Sequence, residues 1–163
     1  MVTITIEERE LIEGIIKQCK ECFVGMMDES NKPYVLPMNF GYKNDIIYLH
    51  SAPEGTSIRS LEKNPEVCIT FSTPSVITHQ NEDVACSYRV KGSSAMCKGK
   101  VVFVEDYEEK VMALDILMQN YTDMSFKYSE PSVKNVKVWR VEIEEMTGRL
   151  FGVPYKESHK YNQ

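Results

Sequence analysis

The stretch "YLHSAPEGTSIRSL", Tyr48 to Leu61, gathers one imidazole, four Ser or Thr hydroxyls, a proline and a glycine between two apolar runs. It reads as a strand ending at His50 and Ser51, a tight loop through Pro53 and Gly55, and a helix opening at Thr56 and Ser57. The start of a helix carries backbone N–H groups without intrahelical partners and a partial positive charge, and so it attracts anions such as phosphate. The same hydroxyls can instead cap their own helix. Arg59, one turn further on, would add charge to an anion site. At the level of these residues both readings stand.

Other chemistry-bearing groups are sparse. Cys19 and Cys22 form a C-x-x-C, the spacing of a redox pair or of half a zinc site, but no second such pair completes four ligands. His50, His79 and His159 lie too far apart in sequence to suggest a metal centre. The sequence contains no G-x-S-x-G, no phosphate-binding loop with its lysine, no H-E-x-x-H and no G-x-G-x-x-G.

The elements that must position these residues follow from periodicity. Thr5 and Glu8 have the spacing of a capping box, and Leu11, Ile12, Ile15, Ile16 and Cys19 recur at helical intervals, so an N-terminal helix is expected within 1–21. "CFVGMMD", "YVLPMNFGY" and "IIYLHS" read as three strands joined by short hairpin loops. "TSIRSLEK" is a short helix ended by Asn64-Pro65, and "VCITFS" resumes as a strand. "VACSYRVKGSSAMCKGKVVFVE" is one bent strand or two, with Gly92 and Gly99 marking bulges or close backbone approaches.

Between 105 and 121 an acidic first turn precedes a second amphipathic helix, with Tyr107, Val111, Leu114, Leu117, Met118 and Tyr121 expected on one side. "NVKVWRVEIEEMTGRLFG" alternates Val136, Val138, Val141 and Ile143 against polar positions, with Trp139 falling among the latter. The remainder, 153–163, reads as a C-terminal arm. Six or so strands in hairpin order with peripheral helices give a mainly β (α+β) chain in one domain, 1–163.

The 163 residues carry a formal charge of -5, with 42% hydrophobic and 26% charged residues. This balance opposes a broad nucleic-acid surface, which needs cationic groups to displace phosphate counterions. There is no apolar run of membrane-spanning length. The N-terminus turns acidic by Glu7 and has no signal-peptide pattern. With an odd cysteine count of five, these features lead to an expectation of a cytoplasmic protein with free thiols and no membrane partner.

The whole succession from "KPYVLPMNFGY" through "YLHSAPEG", "NPEVCITF" and "YRVKGSSAMCKGKVVFVED" to "VWRVEIEEMTGR" resembles the pyridoxamine-phosphate-oxidase-like FMN-binding split barrels, in the branch named for 5-nitroimidazole resistance proteins. The resemblance covers roughly residues 6 to 152. It implies a six-stranded antiparallel split β-barrel that binds FMN. Pro37, Met38, Asn39 and Phe40 would lie along the flavin, His50 and Ser51 would touch it from the strand end, Thr56 and Ser57 would open the phosphate-binding helix, and Ser94 would reach it from the next strand pair. Relatives commonly carry basic residues where this chain has Thr56 and Ser57, and Arg59, Lys91 or Lys98 would be substitutes.

The resemblance further implies a homodimer with the cofactor at the subunit interface, for which Tyr88, Arg89 and Trp139 are candidate contacts. It implies an NADH- or NADPH-linked reductase of small molecules such as nitroaromatics or quinones, with His50 as a candidate proton donor. A flavin- or haem-binding protein without turnover is the alternative. No metal site is expected.

Overall fold

In this computed structural model, residues 2–161 are described, without the side chains of Ser158 and His159. In chain order the elements are β1 (Val2–Ile6), α1 (Arg9–Gln18), β2 (Cys22–Met27), β3 (Pro33–Met38), β4 (Gly41–Lys43), β5 (Ile46–Ser51), α2 (Thr56–Lys63), β6 (Glu66–Ser72), β7 (Val76–Thr78), β8 (Arg89–Val104), α3 (Tyr107–Gln119), α4 (Glu130–Lys134) and β9 (Lys137–Val153). Short 3₁₀ helices occupy Ala85–Ser87 and Tyr155–Tyr161. The fold class is the expected one, antiparallel β of the split-barrel type with peripheral helices. The described residues form nine strands rather than six.

The chain divides into two compact units, through both of which β8 and β9 run. The larger unit comprises Lys20–Thr70 and Cys97–Glu145. Its strands follow the order β3-β2-β6-β8-β9-β5-β4. The strand β5 lies antiparallel to β9, with Leu49 opposite Trp139, His50 opposite Val138 and Ser51 opposite Lys137. Opposite residues share a face. One face therefore carries Tyr48 and Val138, which pack with Val104 of β8 and with Ala113 and Ile116 of α3 into a buried cluster. The other carries Leu49 and Trp139, both fully buried.

Trp139 is thus a core residue and not a surface contact. A strand covered on both faces does not alternate apolar with polar, which is why periodicity placed it among the polar positions. Gly99 follows the expectation of close backbone approach: a Cβ there would collide with the Glu142 carbonyl. The buried face of α3 is rotated from the expected one. It runs through Lys110, Ala113, Ile116 and Leu117, and the Lys110 stem lies buried with its Nζ donating to the Val136 carbonyl at 2.9 Å.

The smaller unit comprises Met1–Cys19, Phe71–Met96 and Met146–Gln163. Here a strand precedes α1, which the capping-box reading had concealed. Thr5 lies in β1 opposite Arg149, and α1 begins after Glu8 with no side-chain cap. In α1, Ile12, Ile15 and Ile16 are buried while Leu11 is exposed. The polar, weakly patterned segment 73–83, which gives no clear element by periodicity, contains β7, which pairs with the start of β8 through Val76–Lys91, Ile77–Val90 and Thr78–Arg89. Of the expected C-terminal arm, 155–161 forms a 3₁₀ helix, and residues 162 and 163 lie outside the described residues.

Candidate functional site

Eight of the nine expected site residues fall in the larger unit. Pro37 and Met38 end β3, the first strand in the order and hence an edge. An edge tolerates proline, which has no N–H for a ladder. Pro37 and Asn39 are exposed, Met38 is half-buried, and the Cys22 thiol donates to the Met38 carbonyl at 3.5 Å.

Phe40, expected to lie along the flavin, has its side chain fully buried. Its backbone is also held, the N–H donating to Tyr121 Oη at 3.1 Å and the carbonyl accepting from Asn120 Nδ2 at 3.2 Å. Asn39 Nδ2 reaches the same Tyr121 Oη at 3.1 Å. Sequence reasoning assigned Tyr121 only to a helix stripe, because its partners lie about eighty residues earlier.

His50 and Ser51 are adjacent in a strand and so project to opposite faces. Ser51 Oγ accepts from the Trp139 indole N–H at 3.1 Å and donates to the Ala52 carbonyl at 2.8 Å. That leaves its second lone pair for a ligand. His50 is exposed by area, yet the protein mass around its ring disfavours the charged form and lowers its pKa from the ordinary 6.5.

The capping question resolves at Gly55. This residue, not Thr56 or Ser57, precedes the first turn of α2, and no side chain caps the helix. Gly55 has φ 139° and ψ -179°, a region closed to most side chains, and space is open where a Cβ would stand. The open side of Gly55 adjoins the first turn of α2, whose amides have no intrahelical partner, beside the exposed Thr56 and half-buried Ser57. Such a cradle fits a phosphate by backbone donors.

It holds little cationic help. Arg59 Nε is paired with Glu29 at 2.9 Å, with Nη2 3.5 Å from Thr56 Oγ1, and Lys98 is paired with Glu145 at 2.9 Å. Lys91 belongs to the smaller unit, on β8.

Ser94 also belongs to the smaller unit, where it is half-buried on β8 beside Ser93, whose carbonyl accepts from Thr73 Oγ1 at 3.1 Å. A mainly apolar hollow of about 400 Å³ opens near the start of β3, between Met26, Tyr34, Val35, Val67 and Cys68. None of the nine expected site residues lines it.

The thiols of the C-x-x-C are not poised for redox work. Cys19 is buried, donates to the Ile15 carbonyl at 3.3 Å, and has its pKa raised by burial. Cys22 is fully buried. Burial likewise pushes Cys97 up to about 12. Reactive thiols need the opposite shift. Among the described residues no three His, Cys, Asp or Glu side chains are grouped to hold a metal. His79 is exposed and stacks on Tyr88 at 4.8 Å, and the side chain of His159 lies outside what is described.

Comparisons with known proteins bear on the family and the fold. The family model described as pyridoxamine 5'-phosphate oxidase matches residues 8–150. The crystal structure of a proposed 5-nitroimidazole antibiotic resistance protein from Bacteroides thetaiotaomicron is 53% identical, covers 92% of this chain and 88% of its own, and has a TM-score of 0.85. The flavocytochrome Anf3 from Azotobacter vinelandii is 17% identical over 98% of this chain and 76% of its own, with a TM-score of 0.78. An FAD- and haem-binding protein from Mycobacterium smegmatis is 14% identical over 98% and 80%, with a TM-score of 0.75. At 17% and 14% the likeness shows the fold alone. No curated protein matches.

Proposed function

Because the chain belongs to the pyridoxamine 5'-phosphate oxidase family, matched from residue 8 to 150, we propose that it binds FMN and works as an NADH- or NADPH-linked reductase of small molecules, nitroaromatics or quinones among them. The observation that carries this reading is the uncapped start of α2 at Gly55, four positions after the β5 strand end. In it, the first-turn amides with Thr56 and Ser57 hold the phosphate. Pro37, Met38 and Asn39 line the ring and ribityl chain, and Ser51 offers its remaining lone pair. The 53% identity to a proposed nitroimidazole resistance protein supports the choice of acceptor class.

When bound, FMN would supply the redox chemistry between the nicotinamide and the acceptor. The chain's own part is to bind, orient and limit water. His50, with its lowered pKa, is neutral near pH 7 and serves as a proton acceptor more readily than as a donor.

The same reading makes the protein a homodimer. Its support is the β7–β8 ribbon, where Val76, Ile77 and Val90 are 60%, 66% and 51% exposed. A two-stranded ribbon this apolar and this bare is marginal in water without a cover. A cytoplasmic setting is consistent with five free cysteines; no helix among the described residues is long and apolar enough to cross a membrane.

The test is an absorbance spectrum of the purified protein with FMN, followed by anaerobic NADH or NADPH and then a quinone or nitroaromatic acceptor. A flavin spectrum bleached by the nicotinamide and restored by the acceptor is expected. Bound FMN that neither nicotinamide bleaches replaces turnover by storage, and a Soret band without flavin replaces FMN by haem.

A further inference from the structure

Tyr121 follows the end of α3, and its hydroxyl sits among three chain segments. It lies 2.6 Å from the Lys20 carbonyl, 3.1 Å from Phe40 N and 3.1 Å from Asn39 Nδ2. A phenol oxygen has one proton to give and two acceptor sites. The Lys20 carbonyl can only accept, so the phenolic proton goes there. The Phe40 N–H can only donate, so it takes one acceptor site. What remains on Tyr121 is a single acceptor site, and Asn39 must meet it with its NH₂.

The orientation of the Asn39 amide, usually ambiguous because its nitrogen and oxygen look alike, is thereby dictated by hydrogen-bond logic. Its carbonyl oxygen Oδ1 is the arm left for something else, on an exposed residue at the end of β3. Neighbouring bonds stiffen the arrangement. Asn120 Nδ2 donates to the Phe40 carbonyl at 3.2 Å, Lys20 Nζ donates to the Asn120 carbonyl at 2.5 Å, and the Lys20 ammonium lies 5.7 Å from the centre of the Tyr121 ring.

We propose that Tyr121 is a positioning residue of the flavin site, which turns the Asn39 amide so that Oδ1 accepts from an N–H or O–H donor of the ligand. This rests on the FMN reading above. The flavin offers both kinds of donor, an imide N–H on the ring and hydroxyls on the ribityl chain. An Asn39 free to rotate would spend part of its population presenting NH₂ instead, and binding would weaken accordingly.

FMN titrations monitored by flavin fluorescence, with melting temperatures recorded alongside, test it in the full chain. Asn39→Ala is expected to raise the FMN Kd about tenfold, the size of one lost hydrogen bond, and Tyr121→Phe about fivefold, because a freed Asn39 still presents Oδ1 part of the time. The double variant should stay within about twofold of Asn39→Ala, since Tyr121 acts through that amide. A tyrosine that merely supports the fold would lower the melting temperature and leave Kd unmoved.

Asn39→Asp reads the same point from the other side. Its carboxylate presents an oxygen in either orientation, so in the Asn39→Asp background Tyr121→Phe should change the FMN Kd by less than about twofold. Wild-type affinity in Tyr121→Phe, an undiminished effect of Tyr121→Phe in the Asn39→Asp background, or losses that multiply in the Tyr121→Phe, Asn39→Ala double variant, would overturn the positioning role. A wild-type protein that takes up no FMN is visible before any variant is made, and overturns the flavin reading on which the role depends.

Discussion

Two antiparallel strand pairs of this protein, β5–β9 and β7–β8, differ in almost everything but hydrogen bonding. In the first, Leu49 and Trp139 are fully buried on one face while Val138 and Tyr48 are buried on the other. In the second, Ile77 and Val90 stand opposite each other on one face and Val76 lies on the other, all more than half exposed. The first pair is completed by its own chain, through α3 on one side and core residues on the other. The second has comparable β-forming residues but no such cover. Identical backbone chemistry thus gives a buried frame in one place and an exposed apolar surface in the other, and the distinction lies in packing, not in propensity.

The most severe way to break the first pair is Trp139→Ala, which removes the largest fully buried side chain and should cost about 3–5 kcal/mol in urea unfolding. A loss below about 1 kcal/mol would mean the face is loosely packed. The ribbon should behave in the opposite manner. Ile77→Asp should leave the unfolding stability of the monomer within about 0.5 kcal/mol. It should also weaken self-association about a hundredfold in sedimentation velocity, the effect of about 3 kcal/mol at a buried contact. If it instead destabilises folding like a core change, the chain covers its own ribbon.

Ser51→Ala sharpens the contrast on a smaller scale. It leaves the buried Trp139 indole N–H without its acceptor, at a cost of about 1–3 kcal/mol by urea unfolding, whereas Thr78→Ala in the ribbon should be nearly neutral. The mildest effect belongs to His50. Because its folded pKa lies below the unfolded 6.5, the unfolded chain takes up the proton first as pH falls. The contribution of His50 to stability is therefore present above 6.5 and is lost as pH falls from there towards the folded value. His50→Gln should flatten the melting temperature between pH 7 and 5, and an unchanged slope would remove His50 as its cause.

The same two pairs show what was legible in the sequence. Alternation found β2, β3, β5 and β8, and it found β9 as a strand while misplacing Trp139, because burial on both faces erases the pattern. β1 was hidden because Thr5 and Glu8 happen to have capping spacing, although Thr5 pairs with Arg149 across a ladder. The family resemblance pointed to the Asn39 and Gly55 neighbourhoods. Local spacing could not reveal that Glu29 occupies Arg59, or that Tyr121 holds Asn39 and Phe40, since those partners are joined only by the folded chain. Nor could it reveal that Gly55 leaves α2 uncapped, which depends on one backbone conformation.

The central claim is that the start of α2 holds the phosphate of a flavin, and it is tested most directly by titrating the wild-type protein with FMN and with riboflavin, which differ by that phosphate alone. Saturable binding of both is expected, with FMN tighter by about tenfold or more, the value of at least one charge-assisted hydrogen bond. Equal affinity for the two, or binding of neither, would contradict it.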